Sequence, residues 1–180
     1  MGELLKRLKE YTSKKKYPMH MPGHKRKILL LPDYDIDITE IDGFDNLHQP
    51  EGLLKECMDS AAAVYNSRNS YFLVNGSTSG LQAAIYASTN YGDKVIVARN
   101  CHKSVYNMLV IRGLEPVYVD LRGWDGDVKA IEEALENNSS VAAVIVTSPF
   151  YDGRVCNVRD MAKACHKAGK ILMVDEAHGA

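Results

Sequence analysis

Five short apolar, largely β-branched runs recur along the second part of this 180-residue chain, each separated from the next by a stretch of helical spacing, and this alternation constrains the fold most. The runs fall at residues 70–75, 94–98, 116–120, 142–147 and 170–175, with helical spacing at 79–89, 103–111, 127–137 and 158–168. A further helix is expected at 52–65, where Leu53, Leu54, Cys57, Ala61 and Val64 share one face. Strands that are apolar on both faces and joined through helices belong in a parallel sheet covered on both sides, which predicts a three-layer α/β/α architecture.

The front of the chain reads differently. Residues 4–16 put Leu4, Leu5, Leu8 and Tyr11 on one helical face, and Lys14-Lys15-Lys16 suits the C-terminal end of a helix dipole. Beyond it Pro18, Pro22 and Gly23 exclude regular structure, and residues 31–43 continue as an extended, acidic connection. The expected organisation is therefore an N-terminal helix and arm over residues 1–50, followed by one α/β domain over 51–180.

Composition removes several function classes. With 46% hydrophobic and 25% charged residues and a net charge of -1, the chain has no basic excess with which to neutralise a nucleic-acid backbone. The opening residues hold no apolar stretch of signal-peptide length, the apolar runs elsewhere are strand-sized, and a cytoplasmic location is expected. Met1-Gly2 matches the start of a myristoylation signal, but Lys6 and Arg7 stand where its Ser or Thr is needed. Cys57, Cys101, Cys156 and Cys165 form no CxxC pair and read as free thiols. His20 and His24 are four apart, but Pro22 and Gly23 between them rule out a helical zinc pair, and no metal is expected.

In an open parallel sheet, ligands bind beyond the carboxyl ends of the strands. Those ends carry Asn75-Gly76-Ser77-Thr78-Ser79-Gly80, then Asn100-Cys101-His102-Lys103, Thr147-Ser148-Pro149 and Asp175-Glu176-Ala177-His178. The small-residue turn at 76–80 opens a helix, so its amides and hydroxyls can cradle a phosphate; the same residues would also serve as a plain Ser/Thr helix cap. His102 can lie flat against a ring-shaped ligand or satisfy local backbone groups. Asp175 follows Ile171-Leu172-Met173-Val174, which places a carboxylate at the buried end of a strand, either capping the next turn or facing a cationic partner.

Taken in order, these residues resemble the phosphate loop, ring-stacking His and Asp-Glu-Ala-His of fold-type I pyridoxal 5'-phosphate (PLP) enzymes, and more sharply the ornithine/lysine/arginine decarboxylases. That narrower resemblance rests on His20-Met21-Pro22-Gly23-His24-Lys25, Asp37-Ile38-Thr39-Glu40, Leu47-His48-Gln49-Pro50-Glu51-Gly52, Asn75-Gly76-Ser77-Thr78-Ser79-Gly80, Asn100-Cys101-His102-Lys103-Ser104 and Val174-Asp175-Glu176-Ala177-His178-Gly179. It implies that Gly76, Ser77, Thr78 and Ser79 hold the cofactor phosphate, that His102 stacks on the pyridine ring, that Asp175 faces the ring nitrogen and that His178 lies near the ring hydroxyl. Thr147 and Ser148 are expected to line the same pocket, and His102, Asp175 and His178 to serve catalysis.

The resemblance further implies decarboxylation of arginine, lysine or ornithine to a polyamine-pathway amine, in a homodimer or larger assembly with the arm reaching across the subunit interface. It also places a Schiff-base lysine in a Ser/Thr-x-His-Lys-like segment downstream of Asp175. No lysine of the 180 residues stands in that motif, Lys94, Lys103 and Lys170 included, and the family's sheet has seven strands against the five read here. The sequence is accordingly expected to be an N-terminal fragment with little activity alone. Another fold-type I activity, aminotransfer or side-chain lyase chemistry, is the alternative within enzymes, although the motifs at 20–25 and 47–52 argue against it. A catalytically dead PLP-binding partner of a longer homologue is the alternative outside them.

Overall fold

The computed structural model describes residues 2–14, 16–26, 34–123 and 126–179, arranged as two compact units, Met1–Phe72 and Leu73–Ala180. The expectations for residues 27–33 of the arm and for Lys15 lie outside the described residues.

In the first unit, helix α1 (Glu3–Ser13) packs against α2 (Leu53–Val64). The arm turns back onto α1: Tyr11 Oη lies 3.0 Å from His20 Nε2, the Phe44 ring meets the Tyr11 ring edge-on at 5.3 Å, and the Arg26 guanidinium sits 4.7 Å over it. α2 has no capping side chain of its own. Asp45 performs that service from the preceding loop, its carboxylate accepting the N–H groups of Glu51 (2.9 Å), Gly52 (2.8 Å), Leu54 (3.0 Å) and Lys55 (3.3 Å). Those donors, the Glu51 amide foremost, hold the Asp45 carboxyl well below the usual carboxylate range.

The second unit is built on strands β1 (Lys94–Ala98), β2 (Glu115–Val119), β3 (Ala143–Thr147) and β4 (Ile171–Asp175), all parallel, in the order β2-β1-β3-β4. Helix α3 (Gly76–Ser88) precedes the strands, and α4 (Lys103–Ile111), α5 (Gly126–Asn137) and α6 (Val158–Lys167) separate them, α3 packing on α4 and α5 on α6. Right-handed crossovers explain this pairing: the chain steps one way from β1 to β2 and the opposite way from β2 to β3 and on to β4, so α4 covers one face while α5 and α6 cover the other. Val95, Ile96 and Val97 of β1 and Val144, Ile145 and Val146 of β3 are buried on both sides, as the continuous apolar runs require.

One expected strand is absent. Residues 70–75 form no strand, and Tyr71 and Val74 within them are largely exposed. The composition suits a strand, but a strand forms only where a neighbour takes up its backbone N–H and C=O groups, and none does so among the described residues. The other four expected strands appear within a residue or two of their expected bounds, and the helix expected from residue 79 starts at Gly76. No helix among the described residues is long and apolar enough to cross a membrane.

The β2–α5 loop is latched from beneath. Asp127, 2% exposed, accepts the backbone N–H groups of Arg122 (2.8 Å) and Gly123 (2.7 Å), and the Cys156 thiol lies 3.6 Å from the same carboxylate.

Candidate active site

Because the connections reverse direction between β1 and β3, their carboxyl ends part and leave a crevice, the usual place for a ligand in such a sheet. A cavity of about 410 Å³ opens there, lined by Ser77, His102, Thr147, Asp175 and His178, together with Asn100, Cys101, Lys103, Tyr151 and Ala177. Each arrives for a local reason. His102 is the N-cap of α4: its Nδ1 accepts the Ser104 N–H at 3.3 Å and lies 2.9 Å from Ser104 Oγ. A ring nitrogen that accepts a backbone N–H is unprotonated in the neutral imidazole, which puts the proton on Nε2.

Asp175 ends β4 directly beside Thr147 at the end of β3. Its Oδ1 accepts the Ala177 N–H at 3.2 Å, and its own carbonyl accepts the Ser148 N–H at 3.1 Å, so the two strand ends are tied together. No hydrogen bond from the described residues reaches Asp175 Oδ2. Thr147 Oγ1 is buried and, among the described residues, meets no partner in full hydrogen-bonding geometry, although it lies close enough to the Cys101 thiol to favour its ionised form. His178 lies past β4 in a turn closed by Gly179 N–H donating to Glu176 O at 2.7 Å, its ring 6.0 Å from that of Tyr151.

The remaining sequence-predicted site residues, Gly76, Thr78, Ser79 and Ser148, do not line the cavity. Gly76, at φ +71°, opens α3, and Thr78 is exposed on that first turn. Ser79 donates its hydroxyl to Gly76 O at 2.9 Å. Ser148, 5% exposed, accepts the Cys156 N–H at 3.0 Å through its hydroxyl. The sequence reading, in turn, gave no role to Tyr151. Its signal was the Pro149 to Gly153 turn at a strand's carboxyl end, which Phe150 anchors by burial and by donating its N–H to Arg154 O at 2.7 Å.

Burial governs the titration of the cavity's thiol. Removal from water, chiefly, and the Asp175 carboxylate push the Cys101 pKa up to about 11, against the opposing pull of the nearby Thr147 hydroxyl dipole and the Ala98 backbone.

A parallel α/β sheet with this cavity at its switch point has the fold of the fold-type I PLP enzymes; a C-DES mutant structure with glycine covalently linked to its PLP cofactor matches it with a TM-score of 0.55 over 71% of this chain and 36% of that one, at 14% identity. The family model described as "Orn/Lys/Arg decarboxylase, major domain" matches residues 3–180, and the chain belongs to that family. It is 35% identical to the uncharacterized protein YaaO of Bacillus subtilis, over 98% of this chain and 40% of that protein. It is 31% identical to an arginine decarboxylase of Halalkalibacterium halodurans, over 89% of this chain and 36% of that one. The chain thus spans about two fifths or less of the length of these relatives.

Proposed function

We propose that this chain forms the cofactor cradle of a PLP-dependent decarboxylase acting on a basic amino acid. The carrying observation is the convergence of Ser77, His102, Thr147, Asp175 and His178 on one cavity in a chain of the Orn/Lys/Arg decarboxylase family.

The residues fit the cofactor. Ser77 and the first amides of α3 offer donors and a positive dipole end to a phosphate, while Asp175 Oδ2 receives no hydrogen bond from the described residues. When bound, PLP supplies an electron sink for the pair left behind by a departing carboxylate. Asp175 keeps a proton on the ring nitrogen, since an adjacent carboxylate favours the charged pyridinium. His102 would cover one face of the ring against water, and His178 would serve the ring hydroxyl. Arginine is favoured over lysine and ornithine because the relative at 31% identity is named an arginine decarboxylase. The product is the corresponding amine with CO2, in a cytoplasmic homodimer or larger assembly. No lysine of the 180 residues stands in the Schiff-base motif, and on this reading the chain by itself binds cofactor without releasing CO2.

Equilibrium dialysis against PLP tests the cradle. The expected result is uptake by the folded chain and a loss of affinity on the order of tenfold in Asp175→Asn, the size of one charge-assisted hydrogen bond. A folded chain that takes up no PLP, or an Asp175→Asn variant that binds as the parent does, would overturn the reading.

A further inference from the structure

We propose that Lys103 is the anion-pairing residue of this cavity, meeting an oxyanion, either a phosphate monoester or a carboxylate, of the molecules that bind there. The inference rests on the cofactor reading above and adds to it a residue to which the sequence motifs gave no role.

Lys103 is the one lysine or arginine among the residues lining the cavity, and Asp175 is the one carboxylate among them. Among the described residues its ammonium makes no hydrogen bond and no ion pair. It is not needed as a helix cap either, because His102 already occupies that position and satisfies the Ser104 N–H. An unpaired ammonium at a concave site is a standing attraction for anions and a repulsion for a second cation. Two further features of the same cavity act with it. α3 brings Ser77 to the cavity from its first turn, and α4 begins at Lys103 itself, so both helices present their positive dipole ends to the crevice. Asn100 and Thr147 line the same space with uncharged polar groups. A cationic group on a ligand answers Asp175 but leaves Lys103 and these dipoles without an anion, whereas an oxyanion on the same ligand meets Lys103 and the dipoles together.

Both the phosphate of PLP and the α-carboxylate of an amino acid have this chemistry, and two pairs of ligands separate them. Dialysis is run with PLP and with pyridoxal, which lacks the phosphate, on the parent, K103Q and K103R; PLP-loaded protein is then titrated with L-arginine and with its decarboxylated amine. Circular dichroism establishes that the variants fold. If the phosphate is the partner, K103Q weakens PLP on the order of tenfold while pyridoxal is unchanged; if the carboxylate is, the arginine affinity falls similarly and the amine does not. In either case K103R retains the parent affinity within about threefold, and the K103Q loss shrinks as salt is added. Unchanged affinity of K103Q for all four ligands overturns the proposal and leaves the cofactor reading standing. A parent that binds neither PLP nor pyridoxal fells both.

Discussion

Cys101 reports on the cavity's electrostatics from its floor. It is 8% exposed, its thiol lies 3.7 Å from the Ile145 carbonyl, and burial above all, with Asp175 adding to it, pushes its pKa from 9.0 up to about 11. At pH 8 that displacement leaves about 100-fold less thiolate than an unperturbed thiol carries, and the thiolate is the species that alkylates. Iodoacetamide labelling at pH 8, followed by mass spectrometry of the Cys101 peptide, should therefore proceed at least about 100-fold more slowly in the folded chain than in the same chain in urea, since burial also hinders the reagent. The folded rate should rise about tenfold per pH unit through pH 10, because the thiol is still far from fully ionised there. Asp175→Asn removes the lesser of the two raising effects, so its Cys101 should label faster than the parent's yet remain well below the urea rate. A folded rate within about threefold of the urea rate would refute the burial argument. An Asp175→Asn rate equal to the parent's would refute the coupling between the two groups across the cavity.

The other buried thiols extend this to stability. Burial pushes Cys165 up to about 11, and burial followed by the Asp127 carboxylate pushes Cys156 up to about 12. With folded-state values raised from 9.0, the stabilisation from keeping these thiols protonated is complete below that unperturbed value and is lost as pH climbs through the folded values. Urea midpoints should fall progressively from about pH 9 toward pH 11, and a flat profile across that range refutes the assignment. Asp127→Ala strips two backbone N–H groups of a buried charged acceptor and should cost about 3 kcal/mol, read from urea melts; a loss under about 1 kcal/mol would mean that water replaces the latch.

The fold was legible where each residue's environment follows from its own apolar character. Val95 to Val97 and Val144 to Val146 are buried on both faces, so the run itself encodes the strand. Residues 70–75 have the same character and fail, because pairing is a property of two segments and the sequence of one does not contain the other. Hydroxyls divide in the same way: Ser77 and Thr147 line the cavity, while Ser79 turns to its own helix and Ser148 to the Cys156 N–H. Residue type says that a hydroxyl needs a partner; local backbone geometry decides which one.

The site shows why strand ends were the right place to read. His102 follows β1, Thr147 ends β3 and Asp175 ends β4, separated by 45 and 28 residues along the chain, and only the order β2-β1-β3-β4 makes them neighbours. The register pairs Thr147 with Asp175 directly, so a one-residue slip of β4 would turn the carboxylate to the opposite face of the sheet. Tyr151 escaped that logic. Its turn is anchored by Phe150 and also by Arg154 Nη1 donating to Arg122 O at 2.7 Å, a contact across 32 residues that ties the β3–α6 connection to the latched β2–α5 loop. The cavity's chemistry at the strand ends is thus written in the sheet's own pattern, whereas its rim depends on loops that stabilise one another, and loop-to-loop contacts leave no periodic trace in a sequence.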